Sequence, residues 1–185
     1  TDGTTDSLTA GTTDDTMAQI ATFYAGAMSE ARMIELGPIH ERWDLDLVLV
    51  GANDPEAMAR HTDECRFRGI PFVADPSQQL AWSDGDAIKQ LVEGAAYLFS
   101  NEYESSLIEH KTGWTSDEVL ARVGVRVTSL GKNGARIEVA GQPAIEVPTP
   151  PEEVKADPTG VGDAFRAGFL SGLTWGLSHE RCAQI

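Results

Sequence analysis

The sequence predicts an α/β fold: a mainly parallel sheet with helices on both faces, three layers in all. Three observations predict it. Four short apolar runs recur at similar spacing: DLVLVG (46–51), IPFVAD (70–75), AAYLFS (95–100) and VRVTSLG (125–131). Each is continuous rather than alternating, the pattern of a strand buried on both sides. Segments with helix start and stop signals lie between them, and such alternation builds a parallel sheet.

The elements follow in order. After the first run, Asn53 and Asp54 offer an N-cap and Pro55 a first helical position, and the helix runs to Gly69. Ser83 to Glu93 reads as the second helix and Glu102 to Lys111 as the third. Thr115 with Glu118 forms a capping box for the fourth, which ends near Gly124. Then the rhythm changes. ARIEVAGQPAIEVP alternates and turns at Ala140–Gln142, which predicts a hairpin, and PTPPEEVKADP is a stiff prolyl connector. It delivers the chain to DPTGVGDAF, where a helix begins with Ala164, Phe165, Phe169, Leu170 and Leu173 as its apolar stripe. Gly168 and Gly172, one turn apart, permit close packing of that helix.

Composition narrows the function classes. With 185 residues, 41% apolar and 23% charged, the chain is long enough for one domain with a real core. A net charge of −15 argues against a nucleic-acid partner, because no basic cluster is there to neutralise phosphates. Cys65 and Cys182 are too few and too far apart for a disulfide framework and are expected as reduced thiols. No apolar run approaches a membrane span and no secretory leader opens the chain, so a cytoplasmic protein without membrane contact is expected. There is no initiator Met, residues 1–15 are rich in Thr, Asp and Gly, and LSHERCAQI stops inside an amphipathic helical pattern. An internal piece of a longer protein is expected. Its residues 1–15 would be a poorly ordered or lid-edge segment and 16–185 a partial domain. A disordered arm and a natural helical end are the plainer alternatives.

The glycine stretch carries the chemistry. In an open α/β sheet, ligands collect at the carboxyl ends of strands, where helix N-termini point. Gly160 and Gly162 let the backbone turn and bring N–H groups toward an anion. A dinucleotide fingerprint would need a third glycine where Phe165 stands, and a P-loop would need Ser or Thr after Gly131–Lys132, where Asn133 stands. A phosphate loop of another kind is left. Asp163 has two readings: an acid placed well against the helix dipole, or a general base for a substrate hydroxyl. Phosphoryl transfer tolerates a weak base, since its loose transition state depends mostly on positioning and charge stabilisation.

DPTGVGDAFRAGF resembles the C-terminal signature of the ribokinase-like (PfkB) carbohydrate and nucleoside kinases, with Val161 where alanine is commonest. NEYE, Asn101 to Glu104, is similar to that family's N-x-x-E motif, and SLGKNG, Ser129 to Gly134, to its strand-end turn. MAQIATFYAGAMSEAR, GANDPEAM, ADPSQQLA and GAAYLFSNEYE resemble the actinobacterial, adenosine-phosphorylating branch of the family.

The resemblance implies a ribokinase-like fold, incomplete here, and ATP-dependent phosphorylation of adenosine at the ribose 5′-hydroxyl to give AMP, a purine-salvage step. Asp163 would be the base, and Gly160, Val161 and Gly162 would donate N–H groups to the transferring phosphoryl. Asn101 would contact ATP phosphates, with Ser129, Gly131 and Gly134 as the further ATP contacts. Glu104 would organise Mg²⁺ through water, and Asp157 and Thr159 fall where K⁺ binds. Phe23, Gln78 and Gln79 are the candidates for the nucleoside, beside Asp163. The family's early glycine-rich substrate motif and β-rich lid are not in this chain, so the fragment is expected to be inactive alone. A lid-mediated homodimer of the full-length protein stays open.

Plainer readings stand beside these: Asn101 as a simple helix cap, Glu104 as a dipole partner, Gly131 and Gly134 as turn glycines, and Phe23 as core. Trp43, Trp82, Trp114 and Trp175 are expected as packing residues. His61 and Cys65 share a helix face but lack the third ligand a zinc site needs, and His179 has no evident partner. A sugar kinase of the same family and a non-catalytic nucleotide-binding module are the alternative functions.

Overall fold

The computed structural model describes residues 8–13, 19–151 and 159–185. Its centre is a six-stranded sheet formed, in spatial and chain order, by β3 (Val48–Val50), β4 (Phe72–Ala74), β5 (Tyr97–Asn101), β6 (Val125–Ser129), β7 (Ala135–Glu138) and β8 (Ile145–Val147). The first four are mutually parallel, and β7 and β8 are antiparallel additions at one edge. The expected hairpin is β7–β8, turning through Gly141 at φ 75°. β1 (Leu8–Thr13) and β2 (Gln19–Tyr24) form a separate antiparallel pair.

Alternation along the strands splits the core in two. Val50, Phe72, Ala74 and Leu98 face one cluster, with residues of α1 (Leu36–Trp43), α2 (Pro55–Arg68), α3 (Gly85–Val92), α4 (Glu102–Thr112) and α5 (Ser116–Leu120). Val73, Phe99, Val127 and Ile137 face the other, with Phe169 of α6 (Val161–Thr174) and Cys182 of α7 (His179–Ala183). Central strands are therefore apolar throughout, as sheets covered on both faces require. β3 is an edge: it pairs with β4 on one side only among the described residues, and Leu49 on it is exposed.

Local signals place most helices. Asp54 accepts the N–H groups of Glu56 and Ala57, Pro55 is the first helical residue of α2, and Gly69 ends it at φ 69°. Asp84 caps α3, and α4 and α5 both start in full capping boxes. Two further elements follow β2, a 3-10 run over Gly26–Met33 and α1. No cap of its own starts α1; instead the Glu64 carboxylate, on α2, accepts the N–H groups of Leu36 at 2.9 Å and Gly37 at 2.7 Å. Burial raises the Glu64 carboxyl, but these two donors and Arg68 more than offset that and hold it below its ordinary value. On α6, Phe169 is buried while Phe165, Leu170 and Leu173 are partly covered. Ala164 is exposed rather than in the stripe. Gly172 lies against Cys182, where a Cβ would meet its Sγ at 2.8 Å. Among the described residues no helix is long and apolar enough to cross a membrane.

Candidate active site

The start of α6 sits at the carboxyl end of the parallel strands. Gly160, at φ 79°, turns the chain into the helix, a conformation strained for any residue with a Cβ. Its carbonyl accepts the first helical bond, from Ala164 N–H at 2.8 Å. Among the described residues no side chain caps α6. By contrast α2, α3, α4, α5 and α7 each begin with an Asp, Asn, Thr or Ser whose side chain accepts a backbone N–H. Gly160, Val161, Gly162 and Asp163 are all exposed. The bend is thus uncovered, and the positive end of a 14-residue helix points out of it, which favours an anion.

Asp163 stands on the wall of a cleft of about 410 Å³, together with Gly51, Asp75, Ser77, Gln78 and Arg166. Its side chain is 81% exposed, and its Oδ1 accepts from Arg166 Nη2 at 3.0 Å. Arg166 also meets Asp75 across the cleft, Nε to Oδ2 at 2.5 Å. Asp75 directly follows β4 and is 4% exposed, and among the described residues its Oδ1 has no hydrogen-bond partner. Burial pushes its carboxyl up to about 6; Arg166 opposes this, while the charges of Glu104 and Asp163 add to it. Glu104 and Asp163 therefore act on Asp75 as parts of one anionic field. Ser77 holds a positive φ of 44° on the same wall, and its hydroxyl donates to Gln78 Oε1 at 3.0 Å.

At the next strand end, Asn101 closes β5 and caps α4. Its Oδ1 accepts Glu104 N–H at 2.8 Å, and Glu104 Oε2 accepts Asn101 N–H at 2.8 Å. Ser129 is the parallel partner of Asn101 on β6. Beyond it, Gly131 at φ 55° and Gly134 at φ 98° frame a short 3-10 turn. A Cβ on Gly134 would overlap the Val147 carbonyl, whereas around Gly131 the space is open. Gly134 thus has a packing reason to be glycine.

The other candidates separate. Gln78 is exposed and lines both the Asp163 cleft and a neighbouring one walled by Ala27, Met28 and Asn53. Gln79 turns inward instead, its Nε2 donating to the Asn53 carbonyl at 2.7 Å. Phe23 lies on β2 opposite Thr9; its side chain, like all of Asp157, lies outside the described residues. Thr159 is exposed in the turn before α6. Trp43, Trp82 and Trp175 are exposed, Trp82 at 87%, so the packing expectation fails for them. It holds for Trp114, which packs against the core under the Arg122 guanidinium. His61 Nε2 lies 3.0 Å from the Ile34 carbonyl. His179 does have partners, Tyr97 Oη at 3.3 Å and the stacked ring of Phe169.

Sequence reading missed Asp75 and Arg166. The available signals were an acid closing the apolar run IPFVAD, and an arginine three residues after Asp163 on the same helix face.

The chain is 28% identical over 173 residues to a nucleoside kinase of Methanocaldococcus jannaschii, covering 94% of this chain and 55% of that protein. It is 32% identical over 157 residues to a cytidine kinase of Thermococcus kodakarensis, covering 80% and 55%. Among solved structures, the nucleoside kinase of Burkholderia thailandensis in complex with inosine matches with a TM-score of 0.89 at 35% identity, over 96% of this chain and 58% of that one. The same enzyme in complex with ADP-inosine matches at 0.85 and 34%, over 96% and 56%. The chain thus spans just over half the length of the relatives it matches. The profile of the pfkB family carbohydrate kinases runs along residues 1–185, and with fold and sequence agreeing over that length, the chain belongs to the PfkB family.

Proposed function

We propose that this chain supplies the phosphate-gripping and base-bearing part of a nucleoside kinase, which transfers the γ-phosphoryl of ATP to the ribose 5′-hydroxyl of adenosine and gives ADP and AMP. The observation that carries the reading is the uncovered, uncapped start of α6 with Asp163 on the adjoining cleft wall. A purine nucleoside as acceptor is supported by the inosine-bound Burkholderia enzyme. Adenosine among the purine nucleosides is supported by the resemblance of the segments around GANDPEAM and ADPSQQLA.

In this mechanism the hydroxyl proton passes to Asp163 as the oxygen attacks the γ-phosphorus in line, and the bond to the ADP oxygen breaks on the far side. The N–H groups of Gly160, Val161 and Gly162 hold the phosphoryl oxygens, where charge must be stabilised. Asn101 and the turn from Ser129 to Gly134 take the rest of the nucleotide, and Gln78 reaches the acceptor. No group of three or more acidic, His or Cys side chains forms a metal cage among the described residues. Mg²⁺ in phosphoryl-transfer sites is held by one or two carboxylates and the substrate phosphates. The anionic field of Asp75, Glu104 and Asp163 favours a cation here. Glu104 would hold Mg²⁺ through water, and the ion would supply charge neutralisation at the phosphates. K⁺ at Asp157 and Thr159 belongs to the same proposal.

The test uses the full-length protein with adenosine, inosine, cytidine, ribose and fructose as acceptors. Adenosine is expected to give the highest kcat/KM, and preference for a free sugar would overturn the nucleoside reading. Asp163→Asn is expected to lose turnover with ATP affinity kept. ATP binding without turnover in the unmutated full-length protein would indicate a binding module instead.

A further inference from the structure

The cleft holds one group that stability does not explain. Asp75 is a buried carboxylate with an unpartnered oxygen, and burying such a group is unfavourable even beside a cation. Its one ion-pair partner among the described residues is Arg166, which at the same time grips Asp163. The Asp163–Arg166 contact alone would hold little. It joins residues three apart on one helix, with the acid 81% exposed, and such solvent-exposed pairs contribute little. The Arg166 side chain is 22% exposed, and its Nε lies on the β4 carboxylate. The guanidinium is planar and rigid, so fixing one edge fixes the other. The charged groups acting on Asp75 are Arg166 and Asp163 from α6 and Glu104 from α4.

We propose that Asp75 and Arg166 are positioning residues for Asp163: the buried acid at the end of β4 anchors the guanidinium, and the guanidinium holds one oxygen of Asp163 so that the other meets the substrate hydroxyl. An exposed carboxylate samples several rotamers, and a base must be held near one productive geometry to act. Asp75 and Arg166 touch no reacting atom in this arrangement. It rests on the reading of Asp163 as the base.

The test is steady-state kinetics of Asp75→Asn, Arg166→Gln, the double variant and Arg166→Lys, in the full-length protein, with Asp163→Asn beside them. Each of the first two is expected to lower kcat about 10–100-fold, the scale of a base displaced by about an ångström, with KM for ATP and nucleoside within about 2-fold. The double variant should be no worse than the worse single one, because both break the same link. Arg166→Lys should recover only part, since an ammonium cannot span both acids in the fork geometry. Circular dichroism and thermal melts of each variant separate these outcomes from misfolding. Unchanged kcat in a folded Arg166→Gln overturns the proposal. So does a raised ATP KM at constant kcat, which would make Arg166 a phosphate contact. If Asp163→Asn keeps full turnover, the base assignment itself fails, and that result is distinct from either of these.

Discussion

Helices α4 and α6 begin in the same way on paper and differently in space. Both leave the carboxyl end of the sheet, and both carry an acid as third helical residue, Glu104 and Asp163. In α4 that acid bonds back to its own cap, and Asn101 returns the bond, so the turn is closed on itself. In α6 the cap position is Gly160, which has no side chain to return a bond, and Asp163 reaches forward to Arg166. A capped start is complete without a ligand. An uncapped start with a side-turned acid leaves its donors to an anion. Two acids at the same helical position thus take different partners, one its own cap and the other an arginine one turn on.

That contrast can be broken most directly by removing each acid in the full-length protein. Asp163→Asn should lower kcat by about 10²–10⁴-fold, the range for a lost general base. Glu104→Gln should chiefly raise the Mg²⁺ concentration needed for half-maximal rate. Equal losses at saturating Mg²⁺ would put the two helix starts on the same footing.

The next effect is on stability. The Asp75 carboxyl lies above its ordinary 3.8, at about 6, so the folded protein holds this proton more tightly than the unfolded chain. Folding stability then falls as pH rises from about 4 to about 6 and stays lower above that. Asp75→Asn removes the buried charge and with it this loss. It should gain up to about 3 kcal/mol at pH 7, and the gain should vanish below about pH 4. Urea melts across that range measure it; a variant less stable than wild type at pH 7 would show that Arg166 outweighs burial.

The smallest expected change sharpens the reading of α4. Asn101→Ala and Thr115→Ala each remove one member of a capping box and should each lower stability by about 1 kcal/mol. Thr115 lies at no strand end. If Asn101 also meets the nucleotide, only Asn101→Ala raises the ATP KM. If both leave it unchanged, Asn101 is a cap and nothing more.

What the sequence made legible was local. β4, β5 and β6 show as apolar runs because both faces of each are covered, whereas the equally apolar run of β3 leaves Leu49 exposed. The start of α2 shows because Asp54, Pro55 and Gly69 act within their own turns. The 3-10 run and α1 are hidden, because the cap of α1 comes from Glu64 on another helix. The Asp163 loop is legible as a glycine bend, but its link to Asp75 through Arg166 joins a strand end to a distant helix, and no spacing rule reports that. Trp43, Trp82 and Trp175 mislead for the opposite reason: size predicts burial only when a neighbouring element arrives to cover the ring.

β3 offers its outer backbone edge and Leu49 with no strand beside them among the described residues. Peptide groups aligned in this way recruit any extended segment that reaches them, so 185-residue preparations should form larger species as they are concentrated. Leu49→Lys would keep such preparations monomeric for longer, because like charges on two edge strands brought side by side repel.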